Sequence, residues 1–299
     1  MSTAPDFVSV VMPAFNVGWC VGRAVDSVLS QSLRERELVV VDDGSTDDTA
    51  NVLACYGNTI RVIHQPNAGM SAARNVGIRQ SRGSLVAFLD ADDWWHAEKL
   101  QRQVDLMRRR PELGFCSTAA RVVSPQGALL NVWHCPGPTT NMLQTLFAEN
   151  AAIAGGCSAV MVRRELLDRV GLFDESLRGF EDPDLWIRLA AVTGYACIDE
   201  PLVEILRREH SVSRNLEHMR KAALASLRKN RDLLPAHLRG TFWRSCLASV
   251  YTDYAKGAYR AGEVRAALVD TLRAFALAPT GRGRLCLGLL RDIALGRSL

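Results

Sequence analysis

The sequence predicts an α/β fold, namely a Rossmann-like domain with a mostly parallel central sheet and a C-terminal helical extension. Two observations predict it. Short β-branched runs alternate with helical stretches between Phe7 and Asp93, and helical periodicity dominates the last part of the chain. Strand–helix–strand units repeated in this way imply right-handed crossovers between parallel strands. We therefore predict one large α/β domain over residues 1–213 and a helical extension over residues 214–299.

The first half of the chain supplies the predicted strands of the sheet. Continuous apolar runs at 7–12 and 37–43 are typical of strands that helices cover on both faces. Between them, apolar residues at helical spacing predict an amphipathic helix over 18–32. The remaining elements of this half are a strand at 59–65, a helix over 71–81 and a strand at 84–90.

The second half is less regular and ends in a basic helical tail. A helix is predicted over 140–149, and an apolar stripe predicts another that begins near Glu181 or Asp182. Further helices flank Gly262 in the tail. Residues 215–299 carry 15 Lys and Arg but 6 Asp and Glu, whereas residues 1–214 carry 21 and 26. The tail is therefore a basic appendage on a mildly acidic body.

Composition excludes several classes of protein. With 48% hydrophobic and 23% charged residues, the chain resembles an ordinary globular protein, and it has no apolar run of about 18 residues that could span a membrane. The first basic residue is Arg23, which is too late for a signal peptide. The eight cysteines form no CxxC pair and predict buried thiols in a reducing compartment, hence a cytoplasmic protein. The absence of HExxH, GxGxxG and GxxxxGK[ST] patterns argues against zinc hydrolases, dehydrogenases and P-loop ATPases.

Polar clusters follow all four predicted strands of the first half. They are PAFN at 13–16, DDGSTDD at 42–48, QPNAGMSAARN at 65–75 and DADD at 90–93. Each could be turn chemistry on its own, since Asn, Asp, Gly and Ser are common after strands. The carboxyl ends of parallel strands share one edge, however, and ligands of open α/β sheets bind there. We therefore expect one site rather than four unrelated turns.

The DADD segment suggests what that site binds. Asp90, Asp92 and Asp93 repel one another, so a bound cation would offset their charge. An EF-hand loop is excluded because Trp95 stands where that loop needs glycine. Mg²⁺ or Mn²⁺ is held by a few carboxylate oxygens together with substrate phosphates. The segment therefore predicts a metal-bound nucleotide diphosphate.

Five motifs now carry a resemblance to a known family. In order they are VSVVMPAFN, ELVVVDDGSTDDT, NAGMSAARNVGI, LVAFLDADDWW and GFEDPDLWIRLA, and over residues 7–213 they resemble family 2 glycosyltransferases. The resemblance implies a single nucleotide-diphospho-sugar transferase domain and an inverting reaction that uses Mn²⁺ or Mg²⁺. The donor would be a nucleotide-diphosphate sugar, and the acceptor a hydroxyl of a glycan or lipid-linked oligosaccharide. The QxxRW motif and membrane helices of processive synthases are missing, which favours transfer of a single sugar.

The resemblance also implies a role for individual residues. Asp182 would be the general base with Glu181 as its neighbour, although acidic residues also suit the first turn of any helix. Gly155 and Gly156 would lie beneath the acceptor. Asp92 and Asp93 would bind the metal, with Asp93 favoured as the direct ligand, and His210 would approach the metal or diphosphate unless it is an ordinary loop residue. The nucleotide-sugar-binding residues would be Pro13, Ala14, Phe15, Asp43, Asn67, Gly69, Arg74, Asp90 and Asp92.

The sequence is compatible with two alternative functions and with several partners. A sugar-1-phosphate nucleotidyltransferase would carry a basic glycine-rich loop after the first strand, whereas PAFNVGWC contains no Lys or Arg. A non-catalytic nucleotide-sugar-binding subunit is a second alternative. The basic tail would support peripheral association with the inner face of a membrane, contact a protein partner or simply be solvated. Nucleic acid is not expected, because no recognised binding motif accompanies the charge.

Overall fold

The computed structural model of the chain describes residues 7–136, 141–149, 152–208 and 215–295. These residues fall into two compact units, each built from separate stretches of the chain. Unit 1 consists of 1–138, 153–175 and 192–209, and unit 2 of 139–152, 176–191 and 210–299. The predicted domain over 1–213 thus contributes residues to both units. Its boundary with the extension stays a prediction.

Unit 1 contains one sheet, to which nine strands of the described residues belong. They are β1 (Val8–Ala14), β2 (Arg36–Asp42), β3 (Arg61–His64), β4 (Leu85–Phe88), β5 (Trp94–Trp95), β6 (Leu113–Val123), β7 (Leu129–Trp133), β8 (Met161–Arg163) and β9 (Gly194–Leu206). Their order is β3-β2-β1-β4-β8-β6-β9-β5, and β7 pairs with β6. The β1, β2, β3 and β4 ladders are parallel, as is the long ladder between β6 and β9.

The predicted mostly parallel α/β sheet is confirmed, with an antiparallel component. Strand β8 runs antiparallel to both of its neighbours, β4 and β6, and the short β5 and β7 are also antiparallel to their partners. The sheet is therefore mixed. The four strands predicted in the first half of the chain, β1 to β4, pair with one another in parallel.

Helices of the described residues cover the sheet in unit 1 and make up unit 2. Unit 1 contains α1 (Val21–Leu29), α2 (Thr49–Ala54), α3 (Met70–Gln80), α4 (Lys99–Arg109), α6 (Gly156–Ala159) and α7 (Arg164–Val170). Unit 2 contains α5 (Met142–Ala148), α8 (Glu181–Ala190), α9 (Leu216–Asn230), α10 (Thr241–Arg260), α11 (Val264–Leu277) and α12 (Gly283–Ala294). The predicted helices at 140–149, from Glu181 and on both sides of Gly262 are present.

The core of unit 1 lies on both faces of the parallel strands. On one face Val10 and Met12 of β1 join a large apolar cluster with Val25 of α1, and on the other Val39 and Val41 of β2 pack with α3. This two-sided burial explains why these strands read as continuous apolar runs. Gly77 lets α3 approach β1 closely, because a Cβ there would collide with the Val11 side chain.

Two cysteines correct the prediction of free thiols. Cys135, just after β7, and Cys197 in β9 form a disulfide across a separation of 62 residues. Of the other cysteines only Cys55 is exposed, and the remaining five are buried free thiols as predicted. The sequence does not indicate this pair, because pairing of β6 with both β7 and β9 brings together residues that are distant along the chain.

Within the described ranges, no helix combines the length and the apolar character that crossing a membrane requires.

Candidate functional site

The order of the parallel strands creates a crevice at the ends of β1 and β4. From β1 the chain goes outward through β2 to β3, and β4 then lies on the opposite side of β1. Ligands of open α/β sheets bind beyond the carboxyl ends of the strands at such a reversal. Pro13 and Ala14 lie at the end of β1, and Asp90 follows β4 by two residues. The structure thus brings the predicted polar strand ends to one edge.

The loops after β1 and β2 are bound to each other. The side-chain oxygen of Asn16, a residue with φ of 53°, accepts a hydrogen bond from the Thr46 N–H at 2.8 Å. The backbone N–H of Gly18 donates to Asp47 Oδ2 at 3.0 Å. These hydrogen bonds fix the loop that presents Phe15, a residue that is 47% exposed.

Asp43 is buried and braces the loop that leads into α3. Its Oδ1 accepts hydrogen bonds from Gln65 Nε2 at 2.7 Å and from the Ala68 N–H at 2.9 Å. Its Oδ2 accepts one from the Gly69 N–H at 2.8 Å. Asn67 lies in this braced loop and is exposed. The structure thus gives Asp43 a loop-supporting role, while its contact with the nucleobase stays a prediction.

Asp90 is held by a buried arginine. Arg74 of α3 is 1% exposed, and its Nη2 lies 2.7 Å from Asp90 Oδ1. The guanidinium also lies over the ring of Phe173, 5.2 Å from its centroid. Two of the residues predicted to bind the nucleotide sugar, Arg74 and Asp90, therefore contact each other directly.

Asp93 is more deeply buried than Asp90 and Asp92, and neutral groups hold its carboxylate. Ser158 Oγ donates to Asp93 Oδ2 at 2.6 Å, and the Leu206 N–H donates to Oδ1 at 3.0 Å. Ser158 also accepts from the Asp90 N–H at 3.1 Å, and its carbonyl accepts from Trp95 Nε1 at 2.8 Å. Ser158 thus connects Asp90, Asp93 and Trp95. Sequence reasoning missed it.

The glycine pair before Ser158 has a steric reason in this structure. Gly155 has φ of +73°, and a Cβ there would lie 2.8 Å from the Ala159 Cβ. Gly156, with φ of +52°, begins α6. Both glycines therefore form the tight turn that delivers Ser158 to the acidic segment. Their predicted place beneath the acceptor stays a prediction.

Asp92 has a charged partner. Arg208 Nη2 lies 2.6 Å from Asp92 Oδ2, and the guanidinium is 5.9 Å from the ring centroid of Trp19, a side chain that is 61% exposed. Burial raises the pKa of Asp92, and the charge of Asp90 adds to the effect. Burial, followed by the charges of Asp92 and Asp90, also raises the pKa of Asp93 well above its ordinary value. An additional cation would relieve this repulsion.

The acidic turn supplies the donor set that a hard divalent cation needs, although the third predicted ligand cannot be placed. His210 lies outside the described residues. Among the residues that are described, no group of three or more His, Cys, Asp or Glu side chains is arranged to hold a metal ion. Carboxylate oxygens of Asp92 and Asp93, together with diphosphate oxygens, are nevertheless the ligands that Mg²⁺ and Mn²⁺ prefer.

The second predicted acidic segment lies in unit 2, at the start of α8. Gly179 and Phe180 both have positive φ, of +96° and 61°, and the helix begins immediately after them. Glu181 and Asp182 stand in the first turn and are half-buried. A non-glycine residue with positive φ is uncommon and is often found at functional sites. The predicted base therefore follows a strained, sharply turned segment.

Comparison with known proteins agrees with this architecture. Residues 9–171 match the family described as Glycosyl transferase family 2. The putative teichuronic acid biosynthesis glycosyltransferase TuaG of Bacillus subtilis is 30% identical over 267 residues, which cover 87% of this chain and 99% of TuaG. An uncharacterized glycosyltransferase of Rickettsia felis is 31% identical over 201 residues, or 66% of this chain, but the match spans only 32% of that protein.

A solved structure extends the likeness of the fold beyond the family match. The crystal structure of S. aureus TarS 1-349 in complex with UDP-GlcNAc has a TM-score of 0.70 and 18% sequence identity. The likeness covers 96% of this chain and 88% of that chain. With more than half of its length matching the family and a relative aligned over almost its whole length, this chain belongs to glycosyl transferase family 2.

Proposed function

We propose that this family 2 chain is an inverting glycosyltransferase that moves one sugar from a UDP-sugar to a hydroxyl of a glycan or lipid-linked acceptor. The observation that carries the proposal is the shared edge of the sheet. There β1, β2 and β4 end together, and the acidic turn 90–93 lies at the reversal of strand order. A donor with a nucleotide at one end and a charged diphosphate in the middle suits that edge.

The donor half of the proposal rests on unit 1. The exposed Phe15 provides an apolar surface for a nucleobase, and the exposed Asn67 of the loop after β3 provides amide hydrogen-bonding groups. The solved relative TarS was crystallised with UDP-GlcNAc, which supports UDP as the nucleotide here. The ion pair between the buried Arg74 and Asp90 would support the crevice.

A divalent cation, Mn²⁺ or Mg²⁺, would be held by Asp92 and Asp93. Asp92 has the more accessible carboxylate, and Asp93 would share its oxygens between the metal and its contacts with Ser158 and Leu206. A carboxylate can accept about four hydrogen bonds or metal contacts, so this sharing is possible. When bound, the cation would act as a Lewis acid that stabilises negative charge on the departing diphosphate.

Asp182 is the proposed general base. It would take the proton from the acceptor hydroxyl while that oxygen bonds to the anomeric carbon and the bond to the diphosphate oxygen breaks. This single displacement inverts the anomeric centre and needs no covalent enzyme intermediate. The negative charge of Glu181 would contribute to the electrostatic environment of Asp182. Gly155 and Gly156 would leave room for the acceptor.

The proposed acceptor is a growing polysaccharide, and the proposed location is a membrane surface. TuaG is named for teichuronic acid biosynthesis, which supports a role in making a polysaccharide. The helix α11 exposes Val264, Leu268 and Leu272 at intervals of four residues, and Arg265 is exposed beside them. An apolar stripe beside basic residues suits peripheral binding to an anionic membrane.

The proposed location is the cytoplasm, on the inner face of the membrane. A Cys135–Cys197 disulfide is uncommon in that compartment, so the state of the thiols tests the location. Protein that is unfolded in denaturant containing a thiol-blocking reagent, so that the buried thiols also react, should carry eight blocked cysteines if it is made and kept in the cytoplasm. Six blocked cysteines would contradict that location.

The experiment that tests the proposed function is a nucleotide screen followed by a turnover assay. We expect UDP, rather than GDP, CDP or dTDP, to raise the melting temperature, and Mn²⁺ to increase that shift. Release of UDP from UDP-sugars, with water or an added glycan as nucleophile, then measures turnover. Stabilisation without turnover of any UDP-sugar would indicate a binding subunit. No stabilisation by any nucleotide would overturn the proposal.

A further inference from the structure

Asp184 is a fully buried carboxylate with donors on two helices. Its side chain is 0% exposed. Asn230 Nδ2 donates to Asp184 Oδ1 at 2.7 Å, and Lys229 Nζ lies 3.0 Å from both carboxylate oxygens. Arg188, one turn along α8, donates to Oδ2 from Nη2 at 2.8 Å and from Nε at 3.0 Å. We call these four side chains, Asp184, Arg188, Lys229 and Asn230, the α8–α9 hub.

The hub joins α8, whose first turn is acidic, to α9, the first helix of the C-terminal extension. Asp184 stands in the first turn of α8, whereas Lys229 and Asn230 are the last two residues of α9. Asn230 is 3% exposed and its amide also donates to the Ser226 carbonyl at 2.9 Å, so its own orientation is fixed. Charged hydrogen bonds of this kind are stronger and more directional than neutral ones.

The other end of α9 holds the turn that precedes the acidic residues. His218 Nε2 contacts the carbonyl oxygen of Arg178. Gly179 packs so closely on α9 that a Cβ there would lie 3.0 Å from the Met219 sulfur. Phe180 follows in its left-handed conformation. The segment from Arg178 to Asp184 is therefore fixed to α9 at both of its ends.

We propose that α9 is part of the catalytic apparatus, because through the α8–α9 hub it sets the position of Asp182. This inference rests on the proposed function, in which Asp182 is the base. Asp182 lies two residues before Asp184 in the same helical turn, at a rise of 1.5 Å per residue, so a shift of one moves the other. Asp184, Lys229 and Asn230 are positioning residues in this proposal, and the helical extension gains a defined role.

The proposal makes a kinetic prediction that separates positioning from binding. A displacement of about 1 Å in a catalytic group lowers turnover by as much as about 10²-fold. The predicted nucleotide-sugar residues lie in unit 1, whereas the hub lies in unit 2. Weakening the hub should therefore lower kcat by roughly 10-fold to 10²-fold. The KM for the donor and the melting-temperature shift caused by UDP should stay unchanged.

The variants are chosen so that the chain still folds. Asn230→Ala removes one donor, and Lys229→Met removes the charge of a side chain that is 39% exposed while keeping its length. Lys221→Met is the matched control, because Lys221 is on the same helix, is 69% exposed and pairs with Glu217. Turnover is measured as UDP released from UDP-GlcNAc, or from whichever UDP-sugar the donor screen shows to be used. Circular dichroism checks that each variant is folded.

A double-mutant cycle with Asp182→Asn distinguishes positioning from general loss of structure. If Asn230 acts through Asp182, Asn230→Ala lowers turnover in the wild-type background and has no further effect in the Asp182→Asn background. If the two losses multiply, the hub supports the fold rather than the base and the proposal is overturned. Unchanged kcat in both hub variants would overturn it as well.

A readout that does not need activity keeps the inference separate from the proposed function. Hydrogen–deuterium exchange of the peptide over 178–186 should rise in Asn230→Ala and stay at the wild-type level in Lys221→Met. Unchanged exchange in Asn230→Ala would refute the hub even in an inactive protein. Full turnover by Asp182→Asn alone would instead refute Asp182 as the base, and would remove the catalytic role of α9 while leaving the exchange result intact.

Discussion

The acidic turn after β4 and the first turn of α8 are two solutions to the same electrostatic problem. Each places three carboxylates within four positions, as Asp90, Asp92 and Asp93 in the first and as Glu181, Asp182 and Asp184 in the second. In each, one member is almost fully buried, Asp93 at 5% and Asp184 at 0% exposure. Burial of a charge is unfavourable unless other groups compensate for it.

The groups that compensate differ between the two segments. Asp93 receives hydrogen bonds from a hydroxyl and a backbone N–H, and its neighbours are like charges that raise its pKa further. Asp184 receives them from an amide and two cations. The charge of Asp184 is thus compensated by cations of its own chain, which suits a structural role. Asp93 is held by neutral groups, so it would still benefit from a cation brought by a ligand.

The largest effect is expected from Asp182→Asn. Turnover should fall by roughly 10²-fold to 10⁴-fold, because the acceptor hydroxyl would lose its base. Stabilisation by UDP should be retained, since the predicted nucleotide residues lie in unit 1. UDP release and thermal unfolding measure the two quantities. Glu217→Gln, at an acid that is 67% exposed in the same unit, is the control. Near-full turnover by Asp182→Asn would show that the base lies elsewhere.

The next effect concerns the metal. Asp92→Asn should abolish the part of the UDP-induced stabilisation that depends on Mn²⁺, and EDTA should do the same to the wild-type protein. At a ligand concentration of 100 Kd, binding stabilises the folded state by about 2.7 kcal/mol, so the loss of stabilisation at that concentration should not exceed this value. Asp168→Asn, at an exposed acid of unit 1, should keep the full shift. An Asp92→Asn protein that responds to Mn²⁺ like the wild type would exclude Asp92 as a ligand.

A stability measurement tests the structural role of Asp184. Asp184→Ala should lower the free energy of unfolding by about 1–3 kcal/mol, because it leaves buried donors without their acceptor. Asp182→Ala should lower it by no more than about 1 kcal/mol, the size of a helix-dipole interaction. Urea unfolding followed by circular dichroism compares the two. Equal losses in both variants would remove the distinction drawn between the carboxylates.

Lys99 extends the comparison to a buried cation, with the smallest expected effect. Burial lowers its pKa from 10.5 to about 7, and its Nζ donates to Gln103 Oε1 at 2.8 Å and lies 3.9 Å from the Trp95 ring centroid. Between pH 7 and 10.5 the folded state therefore binds fewer protons than the unfolded chain. Stability should rise with pH through this window, and the whole penalty is present below it.

Replacing Lys99 tests that pH dependence. Lys99→Met should raise the free energy of unfolding at pH 7 by roughly 1 kcal/mol, because no charge has to be buried. It should also flatten the rise in stability between pH 7 and 10. Urea unfolding at pH 6, 8 and 10 measures both effects, with Lys221→Met as the control. An unchanged slope would mean that Lys99 keeps its charge in the folded protein.

The parts of the fold that could be predicted from the sequence are those fixed by local patterns. Strands β1 and β2 are buried on both faces and read as apolar runs, and α8 shows its start through an apolar stripe preceded by acidic residues. Parallel connections then place the strand ends at one edge without knowledge of any contact. The convergence of the polar loops could be predicted for this reason.

The parts that could not be predicted depend on pairs of residues far apart in the chain. Ser158 reaches Asp93 across 65 residues, and Asn230 reaches Asp184 across 46. Serine and asparagine are common residues, so nothing in their local sequence distinguishes these two. The stretch 176–191 belongs to the same unit as the C-terminal helices. Helical periodicity predicts each helix but does not indicate which helices pack together. Such partnerships appear only when the chain is folded.

The disulfide between Cys135 and Cys197 closes a covalent ring that includes two stretches of unit 2, residues 139–152 and 176–191. The closed ring contains Gly155, Gly156, Glu181 and Asp182, so every residue predicted to serve the acceptor or the proton transfer lies inside it. A single proteolytic cut anywhere in 136–196 would leave one covalently connected molecule. On a denaturing gel, oxidised protein that is cleaved there should separate into two shorter fragments only after the disulfide is reduced.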